Sequence, residues 1–194
     1  GGDNRIAFPT ATPPAPAIEP FSNNSYDWHS YALYQIGDIN GVGWINGLAF
    51  RLGTTTLQAN TFTLRVDLGY TTNSAIDTST SGVANTFTSP AVTVANNIEF
   101  TVPAGTLAGS DLWIPFPANR FFYNGNANLL LRLVVARPVP GTSVELETGE
   151  HPSGSVVRTR GPGDDFAEGT YTNLYNIKLR FVDSQSGLVA RKND

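Results

Sequence analysis

The chain reads as all-β: a jelly-roll-like antiparallel β-sandwich preceded by an extended, proline-rich N-terminal arm. Three observations predict this. Apolar residues alternate with polar ones at a period of two in run after run, whereas helical spacing is nearly absent. Clusters such as "GDINGVG", "NGNAN", "PVPG", "HPSG" and "RGPGDD" punctuate the runs with turn chemistry. Short strands with such breaks are the signature of a sandwich.

Taken in order, the first element is the arm, residues 1–25, with the sandwich domain spanning 26–194. "IAFPTATPPAPAIEPF" (Ile6–Phe21) holds five prolines. Proline fixes its own φ and lacks the N–H that a ladder needs, so neither a helix nor a central strand fits. Ile6 and Phe8 alternate as a short strand would, and Pro9 to Pro20 favours stiff polyproline II. About 20 residues at roughly 3.1 Å each reach about 60 Å. A globule of this size is only about 42 Å across. The arm is therefore long enough to leave its domain and pack on, or add a strand to, a neighbouring copy. Ile6, Phe8, Pro9, Ile18 and Phe21 are its candidate subunit contacts. Removal of residues 1–21 is expected to leave the sandwich folded. An arm that folds back on its own domain is the alternative.

Strands are then expected over Tyr31–Ile36, Trp44–Leu52, Thr61–Tyr70, Ala91–Val94, Ile98–Val102, Leu112–Phe116, Asn128–Val135, Val144–Glu147, Val156–Arg160 and Leu174–Asp183. In "TFTLRVDLGY" Phe62, Leu64, Val66, Leu68 and Tyr70 share one face, with Thr61, Thr63, Arg65 and Asp67 on the other. "LYNIKLRFVD" turns Tyr175, Ile177, Leu179 and Phe181 inward. "NLLLRLVV" is apolar almost throughout, as expected of a central strand covered on both sides. Val66, Leu68, Leu131, Leu133, Ile177 and Leu179 are expected in one core.

Composition narrows the function. Of 194 residues, 14% are charged, below the usual 25% or so, and the formal net charge is −4. That leaves no basic footprint for nucleic acid. No cysteine is present, which removes disulfides, thiolate metal sites and thiol catalysis. No apolar run approaches the roughly 20 residues of a membrane span. Methionine is also absent and the chain starts Gly1-Gly2. The expectation is that a secretory signal was removed, or that numbering starts after a cloning scar.

Chemistry is hard to find. There is no G-x-S-x-G nucleophile elbow. His29 in "YDWHSY" and His151 in "GEHPSG" stand apart and read as structural or solvated histidines, with no zinc-ligand spacing. No catalytic residue, and hence no enzyme, is expected. Asp164, Asp165 and Glu168 in "GPGDDFAEG" are weak calcium candidates, as are Asp38 and Asn40, and all double as ordinary turn formers. No other cofactor is expected. Tyr26, Trp28 and Tyr123 are candidate sugar-stacking aromatics. Trp44 and Trp113 fall within strands, where most aromatics are core. "NNS" at Asn23 is a glycosylation sequon.

Several of these stretches, namely Tyr34-Gln35, "INGLAFR" (Ile45–Arg51), Phe116, Tyr123-Asn124 and Asn128 to Leu131, resemble the β-sandwich domain of secreted bacterial surface proteins of the PEP-CTERM-associated kind. The resemblance covers roughly Tyr31 to Val182. It implies an extracellular β-sandwich with no catalytic residues. With eleven residues after Asp183, the expectation is that the sorting tail of such proteins is lacking. The functional expectation is an extracellular or cell-surface structural subunit that assembles with copies of itself into a filament or sheath. A secreted carbohydrate-binding or adhesive module, with a surface or matrix polysaccharide as partner, is the alternative.

Overall fold

A computed structural model describes residues 3–6, 15–17, 21, 28–39, 41–78, 83–136, 142–150, 156–160, 169–171 and 173–182. Its strands are β1 (Asp3–Ile6), β2 (Ala15–Ala17), β3 (Trp28–Tyr34), β4 (Gly43–Arg51), β5 (Asn60–Thr71), β6 (Val92–Val102), β7 (Asp111–Pro115) and β8 (Phe121–Tyr123). They continue as β9 (Asn128–Ala136), β10 (Leu146–Glu150), β11 (Val156–Arg160), β12 (Gly169–Tyr171), β13 (Asn173–Tyr175) and β14 (Ile177–Val182). The helical pieces among the described residues are two 3-10 turns, Ile36–Asp38 and Val83–Thr86.

One layer is a six-stranded sheet in the order β12-β11-β3-β9-β5-β6. The other is a five-stranded sheet, β1-β14-β4-β7, with β8 also paired to β4. A three-stranded sheet, β13-β10-β2, prolongs it: β13 leads straight into β14, and Leu52 beyond β4 bridges Leu146 on β10. Every pairing is antiparallel. Pairings such as β3 with β9 and β4 with β14 join strands far apart in sequence, as in a jelly-roll-like sandwich.

The core lies between the layers. Val66 pairs with Leu133 and Leu68 with Leu131 in the six-stranded sheet, while Ile177 opposes Phe50 and Leu179 opposes Leu48 in the other. All eight are buried in one cluster. A second, smaller core explains why "NLLLRLVV" does not alternate. Leu130, Tyr31 and Leu33 point away from the main core and are covered by Ile76, Val83 and Phe87 from the segment after β5. Both faces of β9 are thus apolar at its start.

Element boundaries differ from expectation where local geometry overrides period. The run Leu174–Asp183 breaks at Asn176, whose N–H donates to the Glu147 carbonyl and whose carbonyl accepts the Arg51 N–H. Tyr175 and Ile177 stay inward on either side, so alternation hides the break. The two runs at 91–94 and 98–102 are one strand, β6, with register irregularities against β5 and Asn97 in the left-handed region at φ 51°. The Tyr31–Ile36 run starts three residues earlier and gives way to the 3-10 turn.

Candidate functional site

The edge of the five-stranded sheet is closed by the arm itself. β1 lies antiparallel to β14, with Asp3 opposite Phe181 and Ile6 opposite Lys178. In the single chain, therefore, the first strand of the arm adds to its own sheet. β2 likewise pairs along β10, Ala15 opposite Thr148 and Ala17 opposite Leu146. The first strand starts a few residues before the alternation at Ile6 and Phe8, and β2 has no period to mark it, being three residues long within the proline run.

Phe21 corrects the expected division of the chain. It is fully buried in the main core, edge to face with Phe62 at 4.9 Å and Phe50 at 6.1 Å, and tilted on Phe100 at 6.0 Å. Its carbonyl accepts the Val144 N–H at 2.9 Å. Phe21 is a core residue rather than a subunit contact, and a cut after residue 21 would remove it. Phe8, Pro9 and Ile18 lie outside the described residues, as does the side chain of Ile6.

The proposed sugar platform does not come together. Tyr123 is fully buried, its hydroxyl donating to the Ala127 carbonyl at 2.9 Å. It stands 6.2 Å from Tyr70, which pairs with Leu129. Trp28 pairs with Val135, six residues along the same strand. That separates the two ends by roughly 20 Å. Tyr26 lies outside the described residues. Burial, with Tyr70 adding to it, pushes the Tyr123 phenol up to about 12. Burial raises Tyr70 as well, opposed by the Asn124 N–H that donates to its oxygen, and Tyr34 is held far up by burial and then by Tyr175. These tyrosines are structural anchors.

His29 is buried on β3, in register with Val134 and Thr159. His151, the sequon at Asn23, the acidic loop with Asp164, Asp165 and Glu168, and Asn40 lie outside the described residues. Among the described residues no three His, Asp or Glu side chains gather closely enough to hold a metal ion. Nor is any helix there long and apolar enough to cross a membrane. One carboxylate on the polar face of β5 is buried. Asp67 is buried, accepts from Thr93 Oγ1 at 2.7 Å, and is paired with Arg65 at 3.2 Å and Arg132 at 3.5 Å.

The core reading of the two strand tryptophans, Trp44 and Trp113, is corrected: both stand on the outer face of the five-stranded sheet and neither belongs to the buried core. Trp113 sits between inward Leu112 and Ile114, and Trp44 directly precedes inward Ile45. Their phase in the alternation puts both outside the core, a signal that the residue type obscured.

Compared with known proteins, the chain matches no family model and no curated sequence.

Proposed function

We propose that the chain is an extracellular structural subunit that assembles with copies of itself by exchanging its terminal strand. In the assembly, Asp3–Ile6 of one copy takes the place along β14 that the same strand holds in the single chain. The supporting observation is that β1 sits at a sheet edge, where four residues of backbone pairing attach it. An edge strand's unpaired groups accept any chain of the right register, and the exchanged pairing reproduces the same hydrogen bonds.

Reach supports the same reading. Nine residue steps separate Ile6 from Ala15, and "AFPTATPP" between them is proline-rich. As polyproline II they span up to roughly 28 Å, enough to reach the edge of a copy lying alongside. The balance between closing on oneself and exchanging is set by effective concentration, about millimolar for short flexible linkers and lower for stiff ones. Crowding at a cell surface favours exchange. Each copy donates one strand and accepts one, which is a heterologous contact, so growth is open-ended unless a ring closes. Phe21 and β2 remain with their own domain and fix the point from which the arm departs.

The test is a chain lacking residues 1–14, which keeps β2 and Phe21. Concentrated full-length protein is expected to form linear polymers by electron microscopy. The truncated protein is expected to fold and stay monomeric, and a peptide of residues 1–14 in excess is expected to shorten the full-length polymers. The same polymers from the truncated chain would overturn the reading.

A further inference from the structure

The outer face of the five-stranded sheet is unusual for one turned to solvent, where polar residues are the rule. On β8, Phe121 and Tyr123 are buried while Phe122 is 44% exposed. Phe122 meets Trp44 edge to face at 5.2 Å, and Val42 beside them is 60% exposed. Trp113 stands on the same face, on β7 opposite Ala49.

Each tryptophan carries a guanidinium. Arg120 Cζ lies 4.9 Å from the Trp44 ring centre, and Arg180 Cζ lies 4.2 Å from that of Trp113. Arg180 belongs to β14 and must cross β4 to reach β7. It does so over Gly47: a Cβ there would stand 3.8 Å from Arg180 Nη1. A longer side chain at position 47 would occupy its path.

Two further cations described on this face are neutralised, Lys178 by Asp111 at 2.7 Å and Arg51 by Glu147 at 3.7 Å. Among the described residues, Arg120 and Arg180 have no carboxylate partner. Stacked on indoles, they keep the planar N–H fork free for an oxyanion. A local basic excess on a chain of net charge −4 selects an acidic ligand.

The same pair, indole plus unneutralised guanidinium, therefore occurs twice on one sheet face. Trp44 and Ala49 are four regular strand steps and one bulge apart, roughly 13 Å. A repeated site on an open face suits a repeating linear ligand whose units combine an apolar ring face with a carboxylate. We infer that this face binds an acidic polysaccharide of the uronate class, each uronate carboxylate bridged by Arg120 or Arg180 and its neighbouring ring laid on the aromatic surface. The inference does not rest on strand exchange, although Arg180 lies on β14 opposite Asn4 of β1.

The test is affinity electrophoresis of the full chain through gels containing polygalacturonate or its methyl ester. Retardation is expected with the acid alone, fading as salt is raised towards about 0.5 M, where such charges are screened. Arg120→Gln and Arg180→Gln are each expected to weaken binding about tenfold or more, with thermal stability unchanged. Arg180→Lys, which keeps the charge and loses the fork, is expected to fall between. Equal retardation by the ester, no retardation by the acid, or unchanged binding in the Arg120→Gln/Arg180→Gln double variant would each overturn the inference. So would a double variant that loses self-association in the absence of polymer, since the face would then dock a second copy.

Discussion

Phe21 packs edge to face on Phe62, ring centroids 4.9 Å apart, and so joins the arm to the centre of the sandwich. The arm thus divides into a part that the core holds and a part attached by backbone pairing. Phe21→Ala empties a fully buried aromatic site, and such truncations cost about 3–5 kcal/mol. Urea unfolding should show that loss, whereas removal of residues 1–14 should cost far less. A Phe21→Ala chain as stable as the parent would show that the ring is dispensable.

Gly69 makes room for the second core. A Cβ at that position would lie 2.6 Å from Phe87 Cδ1, so the ring that helps cover Tyr31 would have to move. Gly69→Ala should destabilise by about 1–3 kcal/mol, the usual range for overpacking. Pairing it with Phe87→Ala should recover part of the loss in a double-mutant cycle. Strict additivity would place the strain elsewhere.

Asp67 should tolerate no simple truncation. It is buried between Arg65 and Arg132 and accepts from Thr93. Removing one partner of a buried ionic group costs about 3–5 kcal/mol, because the remaining charge stays desolvated. Since Arg65 is half exposed, Asp67→Ala is expected at the lower end of that range by thermal or urea unfolding. A neutral effect would mean that water already solvates the arginines.

Stability should fall in alkali. The Tyr123 phenol is raised from an ordinary value of 10.0 to about 12. Below pH 10 the folded and unfolded chains both keep the proton. Between 10 and about 12 the unfolded chain releases it while the folded chain retains it, so rising pH favours unfolding. Tyr34 and Tyr70 shift in the same direction. Tyr123→Phe should flatten the fall, as read by urea midpoints across that window.

Much of the sandwich was legible because inward residues recur every second position: Val66, Leu68, Leu131, Leu133, Ile177 and Leu179 all sit in the main core. What period could not convey was tertiary. Phe21 is a single aromatic after a proline run, with no repeat to mark it as core. "FFY" at β8 has three aromatics in a row, so nothing in the pattern says that Phe122 alone faces out. The burial of Asp67 was not legible because two of its partners, Thr93 and Arg132, come from neighbouring strands distant in the chain. Trp28 and Tyr123 share chemistry but not location, and residue type says nothing about which end of a strand a ring occupies. The outward placing of Trp113, expected in the core from its residue type, had a readable signal in its phase between Leu112 and Ile114.

Strand exchange is tested most directly by a disulfide trap. The chain has no cysteine of its own, and Ile6 faces Lys178 in register. Directly opposed antiparallel residues have Cα atoms about 4.5–5.5 Å apart, within disulfide reach. A size-tagged Ile6→Cys chain is mixed with a Lys178→Cys chain at assembling concentration, oxidised, and run on a denaturing gel without reductant. Strand exchange predicts a tagged–untagged heterodimer that grows with protein concentration and increases when residues 1–14 are removed from the Lys178→Cys partner, which leaves its β14 edge open to the donated strand. Monomers alone at every concentration, with the two cysteines never joined between chains, would contradict it.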